Sequence, residues 1–216
     1  MDADILLTIE EFFSQYPKRT YPKNQIIIFG GESPEKVFYL SSGKVIQYDI
    51  SYRGDDVVIN IYKAPAFFPM AWAMNGVHNR YFFKTQEESV VRLAPPEDVV
   101  TFLRLNPEVV FDLLSQVYMG VEGLLTRVVY LMAGSARSRL MYELLIECKR
   151  FGKKISDNSY RLHVHESDLA AYSGLARETV SREVKRLRER GVIEFSRGYI
   201  VIKDLSQLEK LLGQDG

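Results

Sequence analysis

The sequence predicts an α+β chain: a β sandwich or barrel, then a long helix, then a helix-turn-helix unit. Three observations carry that expectation. Short apolar runs alternate with turn residues between Tyr21 and Leu93, an apolar heptad runs from Val110 to Leu131, and a basic segment, GLARETVSREVKRLRERGVIEF, fills 174–195. The corresponding modules are residues 1–106, 107–134 and 135–216.

Composition sets the outer limits. At 216 residues, 46% apolar and 26% charged, the chain has the balance of a globular protein able to bury one large core or two modest ones. One cysteine, Cys148, forms no internal disulfide and is too few for an iron–sulfur cluster or a zinc knuckle. No metal or other cofactor is expected. The start, MDADILLTIEEFF, lacks a basic leader region, and no apolar run approaches the ~18 residues of a membrane span. The expectation is a cytoplasmic protein with no membrane contact. A formal net charge of zero hides an asymmetry: residues 135–203 hold 15 Lys and Arg against 9 Asp and Glu, and the remainder 13 against 19. That split suggests a basic module facing a polyanion.

Residues 3–15 read as a short amphipathic helix. Strands follow in QIIIF, VFYL, VIQYDI and VVINIY, separated by GGESPE, SSGK, SYRGDD and KAPA. Glycines 30, 31, 43 and 54 fall at the breaks, where positive φ is easiest to supply. At Pro107 the period becomes helical, with Asn106 as N-cap and Pro107 at the first helical position. Val110, Leu114, Val117, Val121, Leu124, Val128 and Leu131 recur at alternating spacings of four and three, a heptad seam. Phe111, Leu113, Leu125 and Val129 add a second apolar side. One side is expected to meet the β module and the other a second copy, giving a parallel homodimer. Gly134 then breaks the helix at the expected hinge, and SARSRLMYELLIECKRFG restarts it.

The segment ESDLAAYSGLARETVSREVKRLRERG reads as two helices joined by a tight turn at Ser173-Gly174. Leu169 and Ala170 face inward on the first helix, as do Val180, Val184 and Leu187 on the second. The second helix turns Arg177, Glu178, Ser181, Arg182 and Lys185 outward. This is the arrangement that sets a helix into a DNA major groove, where arginine donates to guanine O6 and N7 and a carboxylate accepts from cytosine N4. Glu178 would be repelled on a purely phosphate-binding face. It makes sense as a base reader or as a holder of a neighbouring arginine, and a surface ion pair with Arg182, worth only ~0.3–0.5 kcal/mol, can coexist with that role. GVIEF and YIVIKD then form a hairpin, a wing with Arg197 at its tip suited to a backbone phosphate. Asp204 and Gln207 resemble a capping box opening a last helix, LSQLEKLL.

On FGGESPEKVFYLSSGKVIQYDI, the long helix after LNPE, and above all DLAAYSGLARETVSREVKRL, the chain resembles the cyclic-AMP receptor protein and fumarate–nitrate regulator (CRP/FNR) family of bacterial transcription factors, over nearly its whole length. The resemblance implies a β jelly-roll of the cyclic-nucleotide-binding kind, a dimerisation helix and a winged helix-turn-helix. It implies a homodimer on an inverted-repeat operator, with RNA polymerase as a further partner. It assigns base reading to Glu178 and Arg182; Arg177 matches one branch of the family and Ser181 another, so both half-site preferences stay open. His165, Lys185, Arg186 and Arg197 are the expected phosphate contacts. Ala176 stands where the family usually has a Ser or Thr cap, a loss of ~1 kcal/mol that DNA phosphate at the helix N-terminus can offset. The nucleotide cassette of the family departs most: Pro69-Met70 replaces Gly-Glu and Arg80-Tyr81 replaces Arg-Ser, so no cyclic-AMP response is expected. Phe67, Phe68, Met70, Trp72 and Met74, with Arg80, either line an apolar pocket for an unidentified small-molecule effector or fill the barrel.

Two other function classes compete with this reading. A sensor whose winged helix docks a protein partner remains the alternative to a DNA-binding regulator, and sequence-blind binding to duplex DNA would favour it. An enzyme is rejected: no Ser–His–acid set, paired carboxylates or metal-spaced ligands stand out, and histidines 78, 163 and 165 form no site pattern.

Overall fold

Ile9 and Phe13 lie about one helical turn apart and are fully buried, which fixes helix α1 (Ala3–Ser14) against the strands that follow it. The computed structural model describes residues 2–52, 54–196 and 198–214. These fall into two units, Met1–Tyr118 and Met119–Gly216.

The first unit holds β1 (Lys18–Tyr21), β2 (Ile26–Ile28), β3 (Val37–Ser42), β4 (Lys44–Ile50), β5 (Asp56–Lys63), β6 (Ala66–Phe68), β7 (Phe82–Thr85) and β8 (Ser89–Ala94). They form two four-stranded sheets, ordered β1-β8-β3-β6 and β2-β7-β4-β5, with every pairing antiparallel. This is the jelly-roll arrangement. Period-two alternation sorts the side chains of β3 and β6. Phe38, Leu40 and Phe68 face Ile28, Val45, Phe83 and Val91 between the sheets. Val37, Tyr39 and Phe67 face the opposite way, onto Ile9, Phe13, Val99, Phe102 and Val109. Gly43 turns β3 into β4 at φ +98°, and a Cβ there would run into the backbone of Glu88 and Ser89. Gly30 does not take positive φ; its Cβ would collide with the Phe82 ring and the Arg80 carbonyl.

In the first unit, two helices and one strand exceed the expectation. β1 starts at Lys18, before the predicted strand region, α2 (Met70–Asn75) interrupts it, and α3 (Pro96–Leu105) precedes the long helix. The long helix, α4, spans Pro107–Ala133. Asn106 turns its side chain back instead of capping α4: its amide donates to the Phe102 carbonyl at 2.7 Å and closes α3. The expected second buried side of α4 is also corrected. Val109 and Leu113 pack on the first unit's core, whereas Phe111, Leu125 and Val129 are exposed. The seven seam residues are each 38–58% exposed, an uncovered apolar stripe. Contrary to the sequence reading, α4 is long and apolar enough to cross a membrane by length and composition.

In the second unit, α5 (Ala136–Phe151) packs on the C-terminal half of α4. Arg127 forms a bidentate pair with Glu143, Nε to Oε1 at 2.7 Å and an Nη to Oε2 at 2.8 Å. Tyr142 donates to the Gly123 carbonyl at 2.9 Å and stacks on Tyr130. Gly134 ends α4, Arg139 donates to the Leu131 and Gly134 carbonyls, and the Ser135 hydroxyl caps α5 by accepting from the Ser138 amide. The remaining elements are β9 (Lys153–Lys154), β10 (Tyr160–Leu162), α6 (Glu166–Ser173), α7 (Arg177–Glu189), β11 (Ile193–Ser196), β12 (Tyr199–Ile202) and α8 (Leu205–Gln214). The four strands form one antiparallel sheet, β11-β12-β10-β9. Leu140, Met141, Leu144, Leu162, Leu169, Val180, Leu187, Ile193, Ile200 and Leu208 are among the buried apolar side chains of this unit's core. Asp204 caps α8 through the Ser206 amide, not through the amide of Gln207 that a capping box uses.

Candidate nucleic-acid interface

Helix α6 ends at Gly174, which takes a left-handed φ of +63°, and Leu175 and Ala176 lead directly into α7. Leu169, Ala170, Val180, Val184 and Leu187 are buried, as their spacing predicts, so the outward stripe of α7 is set by default. Arg177, Glu178, Ser181, Arg182, Lys185 and Arg186 are all exposed. They lie on three successive turns of one helix face, close enough to touch neighbouring base pairs in a major groove.

The charges on that face are organised, though not as the sequence suggested. Among the described residues Glu178 has no ion-pair partner. Arg182 instead turns towards Glu183, with Nε 3.7 Å from Oε1. Arg186 donates to the same oxygen at 2.6 Å, and Lys185 lies 4.0 Å from Glu189. Glu183, which the sequence reading passed over, is only 3% exposed. Its place beside Val184, between the outward and inward stripes, was the available signal. No side chain caps the start of α7 at Ala176. Its first-turn amides and the helix dipole therefore present partial positive charge at the same end as Arg177.

The elements beside α7 add to the surface. His165 is the N-cap residue of α6, where its backbone N–H donates to the Asp168 carboxylate at 2.9 Å. Its ring is exposed and lies next to Gly198, in the turn between β11 and β12. This brings the expected phosphate contact His165 to the wing. Arg197, expected at the wing tip, lies outside the described residues. Sequence reasoning missed Arg161, an exposed residue of β10 whose guanidinium lies 5.0 Å from the centre of the Tyr199 ring.

The proposed effector set does not converge on one cavity. Phe67 and Phe68 face opposite sides of β6, and Met70 and Trp72 pack with Phe67 on the outer cluster. Phe68 stacks on Phe38 and Phe83 at ring distances of 5.6 and 5.2 Å, filling space between the sheets. Met74 is exposed, and Arg80, 70% exposed, pairs with Asp49 at 3.3 Å. The physical reason is the strand period: adjacent residues cannot line the same pocket. Burial pushes the Cys148 thiol up to about 12, which keeps it protonated and unreactive near neutral pH.

Comparison with known proteins finds two matching families. Residues 18–106 match the cyclic nucleotide-binding domain and residues 138–211 the Crp-like helix-turn-helix domain. The chain is 24% identical over 198 residues to the fumarate nitrate reduction regulatory protein of Klebsiella oxytoca, covering 91% of this chain and 79% of that one. It is 27% identical to the global nitrogen regulator of a Nostoc species, covering 85% and 83%. Among solved structures, the c-di-GMP-responsive global regulator CLP of Xanthomonas campestris has the same fold, with a TM-score of 0.79 at 17% identity over 91% of this chain and 98% of that one.

Proposed function

The chain belongs to the CRP/FNR family of DNA-binding transcriptional regulators, and from that premise we propose that it acts as a homodimer reading an inverted repeat through α7. The observation that carries this reading is the exposed face of α7, where a carboxylate with no ion-pair partner among the described residues, Glu178, stands among guanidiniums. Arg177, Glu178, Ser181 and Arg182 contact base edges. His165, Lys185 and Arg186, with Arg197 at the wing, contact phosphates. Modules 1–106, 107–134 and 135–216 serve as effector-type domain, dimerisation helix and DNA reader. Pairing two copies along Val110, Leu114, Val117, Val121, Leu124, Val128 and Leu131 covers the apolar stripe and presents two α7 helices to half-sites centred ~34 Å apart. The same pairing accounts for the apolar character of α4 without a membrane, because its apolar residues follow a heptad and Asp112, Glu122 and Arg127 interrupt them. A cytoplasmic location follows from the duplex DNA it reads.

Cyclic AMP is not the effector. Pro69 is buried and Met70 packs on an apolar cluster where the resemblance puts a ribose-binding Gly-Glu, and Arg80 is committed to Asp49. Selection of bound fragments from random duplex DNA tests the whole reading. It should return one inverted repeat, unchanged by cyclic AMP, whereas sequence-blind recovery would defeat it. Arg182→Ala should relax the preference at one G·C pair by ~1–3 kcal/mol, measured by competition with single-base operator variants. Lys185→Ala should weaken binding to every duplex alike and flatten the salt dependence by about one unit of slope. A loss confined to one operator position would reassign Lys185 as a base reader.

A further inference from the structure

Glu183 is the one side chain on α7 that pure packing does not explain. It sits among the inward residues of the helix at 3% exposure, yet it is a carboxylate. One oxygen, Oε1, accepts from Arg186 at 2.6 Å and lies 3.7 Å from the Nε of Arg182. The other, Oε2, is buried with no hydrogen-bond partner among the described residues. A buried acceptor left unmatched costs stability, and an apolar side chain of the same size would avoid that cost. Its neighbours on the helix are Arg182 and Arg186, one turn apart along the same edge of the reading face; it bonds the second and lies 3.7 Å from the first.

We propose that Glu183 is a positioning residue for DNA reading: its buried carboxylate anchors Arg186 and steers Arg182, fixing the direction in which each guanidinium meets the duplex. The inference rests on the DNA-reading function argued above. Arginine carries large rotamer freedom, and a base contact must be made from one rotamer. A carboxylate that is itself immobile because it is buried removes that freedom before DNA arrives, at a fixed point on the helix. It also offsets one of the two positive charges, which holds down attraction to phosphate that carries no sequence information. Glu183 thus trades stability and non-specific affinity for discrimination.

The test compares wild type with Glu183→Gln, which keeps the shape and an acceptor but loses the charge, and Glu183→Leu, which loses both. Each is measured for thermal unfolding, for affinity to the selected operator, and for affinity to a scrambled duplex across a salt series. The operator-to-scrambled ratio is expected to fall about three- to tenfold, the equivalent of ordering one rotamer-rich side chain. The salt slope should steepen by up to about one unit as a cation is unmasked, and Glu183→Leu should melt at or above the wild-type temperature. A merely structural role would lower the melting temperature and weaken both duplexes together. That result, or folded variants with the wild-type ratio and slope, overturns the inference. If Glu183→Leu does not fold, the isosteric Glu183→Gln decides alone. Wild type that itself fails to discriminate removes the DNA-reading premise and the inference with it; discrimination in wild type matched by both variants removes only the inference.

Discussion

Arg127→Met should lower the unfolding free energy by about 3–5 kcal/mol, because it leaves Glu143 buried without its counter-charge. Glu143 is only 2% exposed and both its oxygens are bonded to the Arg127 guanidinium. Chemical denaturation followed by circular dichroism measures the loss. The double variant Arg127→Met/Glu143→Leu should recover nearly all of it, since a well-packed apolar pair avoids the desolvation cost on both sides. A double variant no more stable than Arg127→Met alone would mean that packing, not charge, is lost.

The same pair gives a pH dependence with a definite sign. Burial pushes Glu143 up to about 7 from its ordinary 4.5; Arg127 pulls it down and Glu147 adds to the rise. With its folded-state value above the unfolded one, the group contributes its full stability below about 4.5 and loses it as pH rises through about 7. Stability should therefore decline across that window in wild type and decline less in Glu143→Gln. For Arg127→Met, protonation relieves the orphaned carboxyl, so its penalty should be smaller at pH 5 than at pH 8.

The second large effect concerns assembly. Val121→Glu should turn the protein monomeric in sedimentation velocity and lower affinity for a full inverted repeat by at least ~100-fold, the loss of bivalent binding. In a parallel pair each seam residue faces its own copy, so one substitution sets two carboxylates against each other in an apolar interface. Affinity for an isolated half-site should hardly change, because Val121 lies far along the sequence from α7. A Val121→Glu protein that stayed dimeric would place the interface elsewhere than the Val110–Leu131 stripe.

Periodicity made much of this legible. Helical spacing identified Leu169, Val180, Val184 and Leu187 as buried and thereby exposed Arg177, Glu178, Ser181 and Arg182, because a helix that hides one stripe must show the other. The alternation of apolar runs identified the strands of both sheets in outline. The heptad from Val110 to Leu131 was visible for the same reason, and within the single chain it remains an exposed stripe.

What the order of residues determined by itself was local: most of the elements, which side of each is apolar, and which charged residues of α7 face outward. The partners of charged side chains were decided only by tertiary structure. Arg127 meets Glu143, 16 positions away, Arg92 reaches the Ser14 and Tyr16 carbonyls, and Lys149 meets Glu209. Phe67 and Phe68, adjacent in sequence, part to opposite sides of one strand and so join two different clusters. The physical reason is one of range. Backbone hydrogen bonds and apolar period act over a few residues, whereas a carboxylate or amide takes the best partner that folding delivers, wherever in the chain it originates.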